Sequence, residues 1–276
     1  MIKHTDQFYI KTPFTILCLI SFLFSLNNSS GGNNTDSIIF IKPHWKKGET
    51  KKYEIIQKTK VSFYNIQIIS EISLTVKDSR KNYFGLEWRY DTIKEQDSLF
   101  QDSGQPKKLS PVLLLKGKTI KYHTDKKGKI IEISNFSELS QQLKTSIDSL
   151  VPSFMHSLMP NYFKSFLLKD LLTFHKLYGQ QLKIGDTTIL NLKDSINPNI
   201  DFASESKKIN LSYRDLKTGT IRIEGKSLGI DETKSASDFI YEFSPFTFWM
   251  KKYKSSTNTS VHGTFITYEY EIILLP

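Results

Sequence analysis

One stretch constrains the fold more than any other. Residues 135–179 hold the only long run in which apolar residues recur at helical spacing, and runs with strand spacing lie on both sides of it. Asn135 stands where a helix N-cap is expected, and Glu138 follows three residues later to complete a capping box. Phe136, Leu139, Leu143, Ile147, Leu150 and Val151 then mark one face of a helix, which Pro152 ends. After a further break at Pro160, a second helix is predicted from Asn161 to Tyr178, with Gly179 as the left-handed residue beyond its C-terminus.

The second helix is apolar over more than one stripe. A helix of that kind is buried on two sides or covers an apolar space. Tyr162, Phe163, Phe166 and Phe174, joined by Trp88 from a strand, are therefore the candidate ligand-binding residues. Lys164, Lys169, Asp170 and His175 interrupt the run, which is also too short for a bilayer. No membrane span is expected in the mature chain.

Strand spacing dominates elsewhere. Phe84, Leu86, Trp88 and Tyr90 alternate with Tyr83, Gly85, Glu87 and Arg89, the clearest strand in the chain. Lys51 to Val76 reads as two strands with a turn near Tyr64 and Asn65. Thr119–Tyr122 and Lys129–Ile133 flank Asp125-Lys126-Lys127-Gly128, a hairpin with glycine where positive φ is needed. Asp91 to Pro111 shows no period and reads as a polar loop. Beyond Gly179 the strand pattern returns at Thr187–Leu192, Ile209–Tyr213, Ile221–Ile223, Phe239–Phe243 and Thr264–Leu275. Roughly eight to ten strands joined by short turns imply antiparallel pairing. The expected fold is α+β and mostly β: a curved antiparallel sheet or partly closed barrel, with a central helical insertion packed on one face.

The N-terminus reads as a secretory signal over residues 1–30. Lys3, His4 and Lys11 precede an apolar run from Pro13 to Leu26, and small polar residues follow. Residues 31–37 form a flexible linker, and residues 38–276 a single β-rich domain. Cys18, the only cysteine, lies inside the signal, so no disulfide framework is expected. The expected location is the periplasm or the cell surface.

The formal net charge is +10. Only Arg80, Arg89, Arg214 and Arg222 are arginine; the remaining basic residues are lysine. Specific phosphate and base recognition favours the planar guanidinium fork, so nucleic acid is not an expected partner. No two histidines are spaced as a ligand pair, and no nucleophile elbow, phosphate loop or dinucleotide fingerprint occurs. No catalytic residue, metal or cofactor is assigned. Whether the chain is an enzyme stays open, with a non-enzymatic role ranked ahead of a hydrolase.

Several short motifs together resemble an uncharacterised group of exported proteins from Bacteroidetes-type Gram-negative bacteria. They are Trp45-Lys46-Lys47-Gly48-Glu49 with Tyr53, Leu86-Glu87-Trp88-Arg89-Tyr90, and Ile120-Lys121-Tyr122-His123-Thr124-Asp125 with Gly128. Phe174-His175-Lys176-Leu177-Tyr178-Gly179 and Tyr270-Glu271-Ile272-Ile273-Leu274 complete the set. The resemblance implies export and no activity. In architecture alone the chain also resembles the curved-sheet lipoprotein carriers of the bacterial envelope. The expected role is an envelope protein that binds a lipid or other amphiphile between sheet and helices. The alternative is a surface module that binds an envelope protein or a glycan.

Overall fold

The computed structural model describes residues 38–61, 64–97, 111–148, 168–183, 187–191, 206–215, 219–228, 235–261 and 264–276. The first arm of the chain holds β1 (Ile38–Phe40), β2 (Thr50–Val61), β3 (Tyr64–Ser79), β4 (Tyr83–Asp97), β5 (Thr119–Asp125) and β6 (Ile130–Ile133). Two helices follow, α1 (Phe136–Asp148) and α2 (168–175). The second arm holds β7 (Gln181–Lys183), β8 (Thr187–Asn191), β9 (Ser206–Asp215), β10 (Thr220–Leu228), β11 (Ser235–Phe243), β12 (Met250–Val261) and β13 (Thr264–Leu274).

Eleven strands form one curved antiparallel sheet in the order β6-β5-β4-β3-β2-β13-β12-β11-β10-β9-β8. Each arm is a meander of successive hairpins, and the arms join where β2 pairs with β13, from Tyr53 opposite Leu274 to Val61 opposite Ile266. The sheet does not close into a barrel. A two-stranded sheet pairs β1 with β7, Ile38 opposite Lys183.

The registers line up side chains in rows across the inner face. One row runs Ile223, Tyr241, Tyr253, Ile272, Ile55, Ser70 and Ile93, all buried. Strand residues of opposite parity face outward and include most of the charged residues of these strands, which solvate that side. Cross-strand pairs there include Lys60–Glu269 at 2.8 Å, Lys252–Glu271 at 2.7 Å and Lys77–Glu87 at 3.5 Å.

Four sequence expectations change. Tyr64 and Asn65, expected near the β2–β3 turn, already belong to β3, paired with Val61 and Lys60. Residues 91–97 continue β4 rather than opening a loop: a bulge opposite Glu71 and Ile72 makes Asp91 the extra residue, so the inward position after Tyr90 passes to Ile93 and the alternation is reset. The 98–110 part of that loop lies outside the described residues. β12 was not expected at all. Asn135 does sit at the N-cap, its carbonyl accepting from Leu139 N–H at 3.0 Å, but its side chain turns to the sheet. There Oδ1 accepts from Lys121 N–H and Nδ2 donates to the Thr119 carbonyl, both at 2.8 Å. The amide thus extends the β5 ladder past the end of β6, and Glu138 pairs with Gln142 instead of closing a capping box. Gly128 and Gly179 have the expected positive φ, +89° and +78°.

Candidate functional site

The centre of the inner face is occupied by α2. Its apolar side chains Leu168, Leu171 and Phe174 are buried, as is Leu177 in the turn that follows, and Phe174 meets Tyr53 and Trp88 edge-on at 5.3 and 5.5 Å between ring centroids. Burial alone would let such a helix slide. What fixes it is a set of hydrogen bonds from sheet tyrosines. Asp170 accepts from Tyr90 Oη at 2.9 Å and from Tyr270 Oη at 2.6 Å, with Gln57 Nε2 farther away at 3.5 Å. Tyr241 Oη donates to the Thr173 carbonyl at 3.1 Å, and Tyr178 Oη donates to the Phe248 carbonyl at 2.6 Å.

His175 is bound on both ring nitrogens. The Gly128 carbonyl can only accept, so Nδ1, 2.8 Å away, carries the proton. Nε2 is then the acceptor for Tyr122 Oη at 2.9 Å. Burial pushes the imidazole pKa down to about 4, opposed by the bond to Gly128. Burial pushes the Asp170 carboxyl up, opposed by the bonds from Tyr270 and Tyr90 and by the charge of Lys169. Both groups tie helix to sheet through neutral hydrogen-bond partners.

Moving along the strands past the N-terminal part of α2, the inner face changes character in steps. The Tyr270 row reads Gly225, Phe239, Ser255, Tyr270, Gln57 and Ile68. The next row reads Ser237, Thr257, Tyr268, Thr59 and Ile66. In that row four neighbouring strands each present a hydroxyl, and exposure rises, Tyr268 reaching 43%. Along β11, β12 from Tyr253 on, β13, and β2 from Tyr53 on, no described inward position carries a charged side chain, whereas Glu242, Lys254, Glu269, Glu271, Lys58 and Lys60 occupy outward ones. An ordinary solvated strand end would carry charge on both faces.

Trp88 and Phe174 are brought together, both at 0% exposure, on the sealed floor under α2. Tyr162, Phe163 and Phe166 lie outside the described residues. Reading the sequence missed Asp170 and His175 as tethers, although two titratable residues inside an apolar helix already demand buried partners. Among the described residues no group of three or more His, Cys, Asp or Glu is placed to hold a metal, and no helix is long and apolar enough to cross a membrane.

No family model matches the chain, and no curated protein does. Similar in fold is a solved structure described as lipid–protein interactions in lipovitellin, with a TM-score of 0.51 and 12% identity. The match covers 84% of this chain and only 26% of that one. At that identity the likeness concerns the fold alone.

Proposed function

We propose that the protein binds an amphiphile on the inner face of its sheet, where that face leaves the sealed core. The apolar part of the ligand packs on the Tyr270 row, and its polar end meets the hydroxyls of Ser237, Thr257, Tyr268 and Thr59. The observation that carries this reading is the inner face of β11, β12 from Tyr253 on, β13, and β2 from Tyr53 on, which carries no charged strand residue and runs from fully buried aromatics to half-exposed hydroxyls while charges sit on the outer face of the same strands. Removing apolar ligand surface from water is favourable there, and hydroxyls satisfy a polar end without the desolvation cost of a fixed charge. The lipovitellin structure, one of lipid–protein interactions, supports the same reading at the level of fold. The export expected from residues 1–30 belongs to this proposal and is tested by fractionating cells that express the full chain.

The binding test uses the purified full chain with a monoacylglycerol, followed by native mass spectrometry. The wild type is expected to retain the amphiphile, and Thr257→Asp and Tyr268→Asp, which bring a charge to the hydroxyl row, are expected to lose it while melting normally. A wild type that retains none, or charged variants that retain it equally, would refute the proposal.

A second reading, a surface module for an envelope protein or glycan, draws on Phe246 and Phe265, exposed at 84% and 77%. Aspartate at both positions would abolish partner capture under that reading and leave amphiphile binding unchanged under the first.

A further inference from the structure

The end of the sheet opposite the hydroxyl row is crossed by residues 41–49, which join β1 to β2. Three contacts pin this strap. Ile41 N–H donates to the Gln180 carbonyl at 3.0 Å, His44 N–H to the Thr247 carbonyl at 3.1 Å, and Gly48 N–H to the Val76 carbonyl at 2.8 Å. Its side chains alternate as those of an extended segment do. Ile41, Pro43 and Trp45 are buried, whereas Lys42, His44 and Lys46, and Lys47 after them, are exposed. Trp45 stacks on Trp249 at 5.1 Å between centroids, so the basic side of the strap faces water.

Two neighbouring turns add to that charge. Lys127 and Lys129, between β5 and β6, are exposed, and their stems lie over Gly179, where an added Cβ would come within 3.2 Å of each. Arg80 and Lys81, between β3 and β4, are exposed too. The fields of these pieces overlap. Asp78 is lowered above all by its bond to Arg80, with Lys47 adding to the effect. Burial lowers Lys126, Asp78 opposes this, and Lys42 adds to it. Residues 42–49, 78–81 and 125–129 together hold eight lysines and arginines against three acids. Each acid already has a partner: Glu49 accepts from Lys46 N–H at 2.7 Å, Asp78 from Arg80 Nε at 2.6 Å, and Asp125 from the N–H groups of Lys127 and Lys129 at 2.9 Å. Beside the strap stands the turn 244–249 between β11 and β12. Phe248 has a φ of +52°, rare for a residue with a side chain. The turn holds it there, its N–H donating to the Ser244 carbonyl at 2.9 Å and its carbonyl accepting from Tyr178 Oη at 2.6 Å. Phe246, at the tip of this fixed turn, is the most exposed large apolar side chain among the described residues.

We propose that this end of the molecule docks on an anionic lipid bilayer. Phe246 enters the headgroup region, and the lysines of the strap and the β5–β6 turn meet anionic headgroups around it. An aromatic tip among lysines is the composition of an interfacial anchor, and a tip already fixed loses little freedom on insertion. The choice of lysine favours a bilayer over a structured acidic partner. An ammonium on a flexible stem suits mobile, undirected anions, whereas directed recognition draws on the guanidinium fork, and Arg80 is committed to Asp78. From Thr50, beside the strap, to Thr59 in the hydroxyl row is about 30 Å along β2. Docking therefore leaves the proposed amphiphile site clear and does not depend on its being filled.

The test measures partition of the purified full chain onto vesicles of phosphatidylcholine alone or of an equal mixture with phosphatidylglycerol. The wild type is expected to sediment with the mixed vesicles and to be released by high salt. The Lys46→Gln/Lys47→Gln/Lys127→Gln/Lys129→Gln variant should lose at least about tenfold in partition, since each lysine near an anionic surface contributes roughly a factor of five. The corresponding arginine variant should keep it. Whatever residues 1–30 contribute is common to all these chains, so the difference isolates the strap and turn. Insertion is read with Phe246→Trp. Trp45, Trp88 and Trp249 are buried, so a blue shift and quenching by brominated lipid report on position 246. Equal partition of wild type and glutamine variant, or a Phe246→Trp chain that brominated lipid leaves unquenched, would overturn the inference. A wild type that ignores mixed vesicles would overturn it too and leave an acidic protein as the partner of the lysines.

Discussion

Acid should loosen the hold on α2 through one side chain, His175. His175 is 5% exposed and ringed by Trp45, Tyr122, Phe174 and Tyr178. Its neutral form is fully bonded, Nδ1–H to the Gly128 carbonyl and Nε2 from Tyr122. The unfolded chain takes up a proton at this residue near the ordinary value of 6.5, while the folded protein resists until about 4. The sign follows from linkage: His175 contributes its full stability above 6.5, and that contribution is lost as pH falls towards 4. The interval corresponds to about 3 kcal/mol. Asp170 works the other way. Its carboxyl is raised by burial, so its contribution grows as the pH falls and it takes up a proton. Exposed Asp78 and Glu269, lowered by bonds to Arg80 and Lys60, lose stability on acidification with no link to α2. The assay must therefore be a difference. Urea unfolding of wild type and His175→Gln, at pH 7 and at pH 4.5, cancels the carboxylates common to both. The wild type should lose about 2 to 3 kcal/mol more than the variant. Parallel pH profiles would refute the buried neutral imidazole and with it the tether to Tyr122 and Gly128.

Two further substitutions probe the same assembly. Asp170→Leu leaves the Tyr90 and Tyr270 hydroxyls without their acceptor and should cost about 2 to 4 kcal/mol, whereas Asp170→Asn keeps an acceptor oxygen and should cost less; a leucine better tolerated than asparagine in urea unfolding would contradict the tether. Gly225→Ala drives a methyl into the Phe239 ring and should cost about 1 to 3 kcal/mol. Adding Phe239→Leu should remove most of that cost in a double-mutant cycle, and a purely additive result would show that the ring does not lie on Gly225.

The parts legible in the sequence were those whose chemistry is local. The α1 periodicity, the Gly128 turn and the Gly179 helix stop depend on residues a few positions apart, and each stands where the sequence places it. What escaped depends on partners far along the chain. β12 reads Lys-Ser-Ser-Thr-Asn-Thr-Ser over much of its length, because Ser255, Thr257 and Thr259 are its inward residues and no apolar alternation marks it. The property that hid the strand is the property that lines its inner face with hydroxyls. Asp170 and His175 looked like interruptions in a greasy helix, since Tyr90, Tyr122 and Tyr270 lie 80, 53 and 100 residues away. Asn135 was placed correctly and given the wrong partner: β5 offered its side chain a donor and an acceptor at once, which the helix N-terminus could not.

The topology explains why the helices sit in the middle of the chain. Because β2 and β13 pair at the centre of the sheet, the chain midpoint falls between the two outer strands, β6 and β8. A segment joining two edges of a curved sheet must pass outside the sheet or across its hollow. Charges are spread over the outer face, whereas the inner face is lined by buried aromatic and aliphatic residues, so the apolar α2 takes the inner route and supplies the core that the curved face needs. The same route sets Lys169 over the Tyr270 ring. Because Asp170 and His175 hold α2 at successive points, loosening one should weaken the other, a coupling that a double-mutant cycle of the two residues would read.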